Sequence, residues 1–269
     1  KKPAQNDVRE LKEYARKYRK DRKFQLMPWD FSYYTHKLQI EKYSIESDMF
    51  RPYLQLDNVI KGVFQLANTL YGISFEENKD IQVYHPDVKD YEVKDKDGSF
   101  LDVFYADFFP REGKQGGAWM TEFNSQWISH KGVNHRPHVS VVMNFTKPTE
   151  DKPALLTLGE VETFLHEFGH SLHGIFANTR FGSMSGTSVY WDFVELPSQF
   201  MENYCGQKKF LDTFAFHYKT GKKIPTSLLR RLKKASRFQT AYGCMRQVSF
   251  GLLDMAYHTI RKPFDKDIM

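Results

Sequence analysis

Five consecutive residues, His166-Glu167-Phe168-Gly169-His170, carry the chemistry of this chain. They read H-E-x-x-H inside an apolar helical run, Val161-Glu162-Thr163-Phe164-Leu165. An α-helix advances 3.6 residues per turn, so the two imidazoles lie one turn apart on one face. Two imidazoles so placed can share one Zn²⁺ at about 2.0–2.1 Å each. Glu167, on the same turn, can take a proton from a water that the metal activates. Gly169 costs such a helix about 1 kcal/mol relative to Ala, so it predicts a close approach of backbone or ligand.

A catalytic zinc needs a third protein ligand and one open position. His173 is nearby in sequence. The metzincin pattern would place Gly at position 173 and His at 176; this chain has His173 and Phe176, which excludes that class. The remaining candidates are Asp192, Glu195 and Glu202, which with Gln199 share one face of a predicted helix. Spacing alone does not choose among them.

His166-Glu167-Phe168-Gly169-His170 and the later run Asp192-Phe193-Val194-Glu195-Leu196-Pro197-Ser198-Gln199 resemble the thimet oligopeptidase and peptidyl-dipeptidase Dcp family, family M3 of zinc peptidases. Met27-Pro28-Trp29-Asp30, Asn144-Phe145-Thr146-Lys147-Pro148 and Val161-Glu162-Thr163 extend the likeness over almost the whole chain, nearest to the peptidyl-dipeptidase branch. The resemblance implies a zincin-like catalytic domain with one Zn²⁺ per chain, held by His166, His170 and Glu195, with Glu167 as general base. It implies oligopeptide substrates and release of dipeptides from the C-terminus, with internal cleavage of short peptides as the alternative. The family draws its oxyanion donors from a Gly- and Tyr-rich loop well after the third ligand. Only Tyr242-Gly243 echoes such a loop here. The expectation is therefore a partial catalytic domain, lacking its C-terminal substrate-binding portion and inactive in isolation. A rival from another class is a zinc-stabilised helical binding module, its metal shell closed by His173 or Asp192. A third reading keeps the peptidase and makes Glu202 the third ligand.

The elements that must position these residues are predicted as mainly α with a small β-sheet, an α+β fold in one unit over 1–269. Asn6 or Asp7 caps a first helix, Pro28 opens a second, and Asp57 caps a third that Gly72 ends. Ile81–Tyr84 and Val88–Val93 read as strands, Asp95–Gly98 as a hairpin turn, Phe100–Phe109 as the return strand and Val139–Phe145 as an inner strand. Gly117, Ala118 and Trp119 fall beside a predicted sheet edge, where zinc peptidases hold substrate as an added strand. With His173 they are the candidate substrate contacts. Thr157-x-x-Glu160 forms a capping box ahead of the metal helix. The small residues of Asn178–Ser188 predict a mobile loop beside the groove. Helices over Phe210–Tyr218 and Leu228–Ile260 complete the chain.

Composition excludes several classes. The 269 residues are 41% hydrophobic, a globular balance that can bury a core. Net charge is +6, concentrated at Lys1–Lys23 and Lys219–Lys234, yet no nucleic-acid motif or aromatic-interleaved basic stripe accompanies it. No run of 18 apolar residues predicts a membrane span. Cys205 and Cys244 read as unpaired thiols, and no signal peptide is legible. A monomer in the cytoplasm is the expectation, with a periplasmic location left open because the sequence begins at Lys1 rather than Met.

Overall fold

The computed structural model describes residues 1–262. In chain order its longer elements are α1 (Lys2–Arg19), α2 (Phe31–Tyr43), α3 (Leu56–Tyr71), β1 (Ser74–Glu77), β2 (Lys89–Lys94), β3 (Phe100–Asp107), β4 (Trp119–Asn124), β5 (Trp127–Ile128), β6 (Asn134–His135) and β7 (His138–Val142). The helices α4 (Leu158–Ile175), α5 (Trp191–Val194), α6 (Leu196–Glu202), α7 (Lys208–Phe214), α8 (Thr226–Ala235) and α9 (Thr240–His258) follow. The fold is mainly α with a small mixed sheet. Whereas the sequence reading treats 1–269 as one unit, the chain divides into two compact units: Lys1–Glu46 with Ser227–Met269, and Ser47–Thr226.

In the first unit, Leu11, Tyr14 and Ala15 of α1 meet Tyr34 and Leu38 of α2, and Phe31 stacks on Tyr242 of α9. Asp7 does not cap α1, which begins at Lys2. Its carboxylate accepts the Tyr242 N–H instead, at 3.0 Å.

In the second unit, a five-stranded sheet runs β1-β2-β3-β7-β4. Only β3 and β7 pair in parallel. β7 lies inside the sheet with Val139, Ser140 and Val141 fully buried, as its apolar run predicts. β4 is an edge strand, entered through Gly117 at φ +98°. Ile81–Tyr84 is not a strand. The hairpin partner of β2 on that side is β1, and Ile81 and Val83 lie against Val88, Val103 and Tyr105 on the outer sheet face. Apolar alternation satisfied by packing on a sheet looks, in sequence, like alternation within one. Asp57 sits in the first turn of α3 rather than at its cap, while Gly72 does take the left-handed conformation that stops the helix, φ +82°.

α4 covers the inner sheet face. Phe168 meets Phe64, Phe75 and Phe104 at ring-centroid distances of 6.1, 5.6 and 6.0 Å, and Phe164 meets Phe108 at 5.2 Å. These rings form the aromatic core behind α4, while many other aromatic side chains, Trp29, Tyr190 and Trp191 among them, are exposed. The predicted capping box is formed: Thr157 Oγ1 accepts from the Glu160 N–H at 3.1 Å, and Glu160 Oε2 accepts from the Thr157 N–H at 2.6 Å. It sets where α4 starts and therefore where its histidines point.

Gly169 meets backbone. A Cβ there would stand 2.5 Å from Pro197 O and 2.6 Å from Ser198 Cα. α4 and α6 thus cross at a point where only hydrogen fits. Gly169→Ala should force α6 away, costing about 1–3 kcal/mol of stability and displacing Glu195; urea unfolding together with a metal-binding titration will show it. Unchanged values for both would contradict the crossing.

Asp102 is fully buried on β3, and neither carboxylate oxygen has a well-formed hydrogen bond among the described residues. Burial pushes its pKa well above the ordinary value; the nearby Val139 and Val103 amides and Arg136 offset this only in part. A folded-state pKa raised above the unfolded one contributes stability present below the unfolded pKa, which is lost as pH rises through the folded value. Asp102→Asn should therefore gain stability over the parent as pH rises from about 4 to 8. A difference in unfolding midpoint that stays flat or shrinks over that range would refute it.

Candidate metal centre

α4 places His166 and His170 with ring centroids 5.0 Å apart and planes at 84°. Glu195 arrives from the α5–α6 junction. The sequence sets Asp192, Glu195, Gln199 and Glu202 on one helical face with Pro197 breaking a hydrogen bond within it; in the structure α5 ends at Val194 and α6 restarts at Leu196. Glu195 sits at that break, and its Oε2 lies 3.3 Å from His166 Nε2 and 3.2 Å from His170 Nε2. A tetrahedral cation with bonds of about 2.0–2.1 Å separates its ligand atoms by about 3.3–3.4 Å. The observed spacings match, and these three are the group of potential metal ligands found among the described residues.

The neighbours hold these atoms in place. Ser198 Oγ donates to Glu195 Oε2 at 2.7 Å and to the Glu195 carbonyl at 3.1 Å. The Ser198 hydroxyl, then His170 and His166, keep the Glu195 carboxyl below its usual pKa. Burial pushes the His170 pKa down and favours the neutral ring that a metal requires. On the far side of His166, Nδ1 lies 2.6 Å from Glu202 Oε1. With its proton on Nδ1 the ring donates to Glu202 and leaves the Nε2 lone pair facing His170 and Glu195. Glu202 therefore engages the opposite nitrogen from the one that faces Glu195. Both Glu202 and Ser198 went unrecognised in these roles in the sequence. A carboxylate seven residues past Glu195 and a hydroxyl three past it were the available signals.

Glu167 is buried beside the cluster, and that burial raises its pKa; the Met120 backbone amide and His166 pull the other way. His173 lines a cavity of about 420 Å³ with Leu172, Phe176, Met184, Val189 and Pro197. Its Nδ1 is buried without a hydrogen-bond partner among the described residues, and burial lowers its pKa. Gly117 and Ala118 lead into the β4 edge, and Asn144 Nδ2 holds the Gly117 carbonyl at 2.8 Å. Trp119 pairs with Val142 at the start of β4, but its side chain lines a separate cavity with Tyr84, Asp107, Arg111 and Lys114. That cavity is on the sheet face away from α4, so the Trp119 side chain lies away from His166 and His170.

The segment Asn178–Ser188, expected to be mobile, is tied down. Buried Gln126 accepts from the Thr179 N–H at 2.7 Å and the Ser185 hydroxyl at 3.3 Å, and donates to the Thr179 carbonyl at 3.1 Å. Glu122 of β4 accepts from the Thr187 N–H at 3.3 Å, and a Cβ on Gly186 would stand 2.0 Å from its Oε1. Cys205 is buried, with its thiol pushed up to about 12 by that burial, and both cysteines are unpaired. Among the described residues no helix is long and apolar enough to cross a membrane.

A family model described as Peptidase family M3 matches residues 1–267. Oligopeptidase A of Escherichia coli K12 is 40% identical over 240 residues, which cover 89% of this chain and 35% of that protein. Dipeptidyl carboxypeptidase of Salmonella typhimurium LT2 shows the same identity and coverage. Saccharolysin of Saccharomyces cerevisiae is 37% identical over 241 residues, 87% of this chain and 34% of that protein. The chain spans about a third of the length of these relatives.

Separate substitutions will distinguish the two acids near His166. Glu195→Ala should strip most of the bound metal. Glu202→Gln should keep one ion per chain but weaken its binding about 10–100-fold, as read by elemental analysis and chelator competition. The opposite pattern would make Glu202 the ligand.

Proposed function

The chain belongs to peptidase family M3, and from that premise we propose that it is the metal-bearing part of a zinc peptidase that hydrolyses oligopeptides. The observation that carries this reading is the convergence of His166 Nε2, His170 Nε2 and Glu195 Oε2, with buried Glu167 alongside. Two neutral imidazoles and one carboxylate form a set that suits zinc and leaves a fourth position for reactants. Bound there, zinc supplies a Lewis acid that acidifies water and polarises a carbonyl oxygen.

The chain's own residues do the rest. Glu167 takes the proton of the attacking water on its carboxylate and returns it to the leaving amine. Its burial-raised pKa brings it closer to the operating pH, where one group serves as both base and acid. Glu202 keeps the His166 ring in one tautomer, and Ser198 keeps Glu195 Oε2 turned to the histidines. The β4 edge offers backbone groups at Gly117, Ala118 and Trp119 to an extended peptide, and His173 contacts it further along α4. Removal of dipeptides from the peptide C-terminus is the first mode. Internal cleavage is the second, because relatives named for oligopeptidase and for dipeptidyl carboxypeptidase match equally well.

In the complete enzyme, Glu167→Gln should retain one zinc per chain while turnover falls about 10²–10⁴-fold. Near-normal cleavage by this variant would remove Glu167 from the role of base. Product analysis on a peptide with a blocked C-terminus decides the mode: resistance to cleavage indicates dipeptide release, and internal fragments indicate the second.

A further inference from the structure

Positive charge is unevenly shared between the two units. Lys1–Glu46 and Ser227–Met269 carry twenty-one Lys and Arg against ten Asp and Glu, a net of +11, while residues 47–226 carry a net of −5. The densest stretch is α8, Thr-Ser-Leu-Leu-Arg-Arg-Leu-Lys-Lys-Ala, which contains no acid. Leu228 and Ala235 bury one of its faces. Arg230, Lys233 and Lys234 recur at i, i+3 and i+4 on the helix and are exposed, as is Arg237 in the turn that follows it. Arg231 donates to the Ser44 carbonyl at the end of α2, 2.6 Å away. Among the described residues, none of these five cations pairs with a carboxylate, although Lys42 and Lys17 in the same unit do. Together with Tyr43 and Ser227 the five line a cavity of about 660 Å³.

Like charges at these spacings stand about 5–6 Å apart and weaken the helix that bears them. An anion laid along the face turns that repulsion into attraction, and the surplus charge of the unit steers it there. We infer that this groove is a docking site for an acidic stretch of polypeptide. Asp and Glu at alternate positions of an extended chain recur about every 6.6 Å, close to the spacing of the cations. Single-stranded nucleic acid is held on aromatic platforms beside the cations, and among the described residues Tyr43 is the one aromatic lining the groove. A helix that inserts into a membrane surface sets exposed apolar side chains beside its basic face; on α8 Leu228 is buried and Leu229 and Leu232 are half-buried. The choice of peptide rests on the peptidase reading; the electrostatics of the groove do not.

Fluorescence anisotropy on the whole chain, with a labelled Glu-rich peptide and a neutral peptide of equal length, tests the docking. The acidic peptide should bind and the neutral one should not, and added salt should weaken the binding. Arg230→Glu with Lys234→Glu should raise the Kd about tenfold or more, with the helical circular dichroism signal preserved. Lys233→Gln with Lys234→Gln, a milder pair, should weaken binding in the same direction. Equal binding of both peptides, or indifference to both double variants, overturns the proposal. So does tighter binding of an RNA oligomer of equal charge or of phosphatidylserine vesicles. Zinc content is read on the same preparations. Loss of metal with peptide binding intact would count against the peptidase reading alone, and the reverse against the docking site alone.

Discussion

The close approach of two backbones at Gly169 is the constraint on which the candidate metal site depends. α4 presents both histidines, but the third donor lies on a separate element, and only a near-contact between α4 and α6 brings Oε2 of Glu195 within 3.3 Å of both rings. A side chain at position 169 would hold α6 off by more than the tolerance of a coordination shell. The energetic cost of glycine in a helix is offset by this placement. Pro197 acts at the same crossing. By ending α5 and restarting the helix it leaves Glu195 at a corner, where Ser198, three residues on, can grip the carboxylate.

A rigid layer stands behind the site. Phe164 and Phe168 anchor α4 on the sheet and its aromatic core, so the opposite face of the helix, with His166 and His170, has little freedom to rotate. Glu122 and Gln126 extend that rigidity to the segment between α4 and α5. Polar side chains with no direct part in the chemistry thereby define the wall of the cavity that holds His173. The same strand that carries Glu122 brings its Met120 amide up to Glu167, so the sheet edge and the buried acid are set together.

Electrostatics separate the roles of four carboxyl groups close in space. Glu195, gripped by a hydroxyl and facing two rings, is held ionised. Glu167, deeply buried, is pushed towards the proton-bound form. Glu202 takes the far nitrogen of His166. Glu162, raised by burial and then by Glu202, lies behind them. Environment, not residue type, sets these four acids apart.

His166, Glu167 and His170, the capping box at Thr157 and Glu160, the close approach at Gly169 and the buried strand around Val139–Val142 were all legible in the linear order of residues. Each depends on local periodicity or on the steric needs of one position, and those operate within a turn or two of chain. The choice between Glu195 and Glu202 was not legible from spacing, because both were placed on one helical face until Pro197 broke it. Nor was the anchoring of Asn178–Ser188, since Gln126 lies more than fifty residues away and bears no pattern that marks it. Ile81–Tyr84 misled for the same reason: its alternation answers to a sheet face built by other strands. Residue order determined which groups can do chemistry, and tertiary packing decided which of them meet, because distances between separate elements are set by long-range contacts that no local spacing encodes.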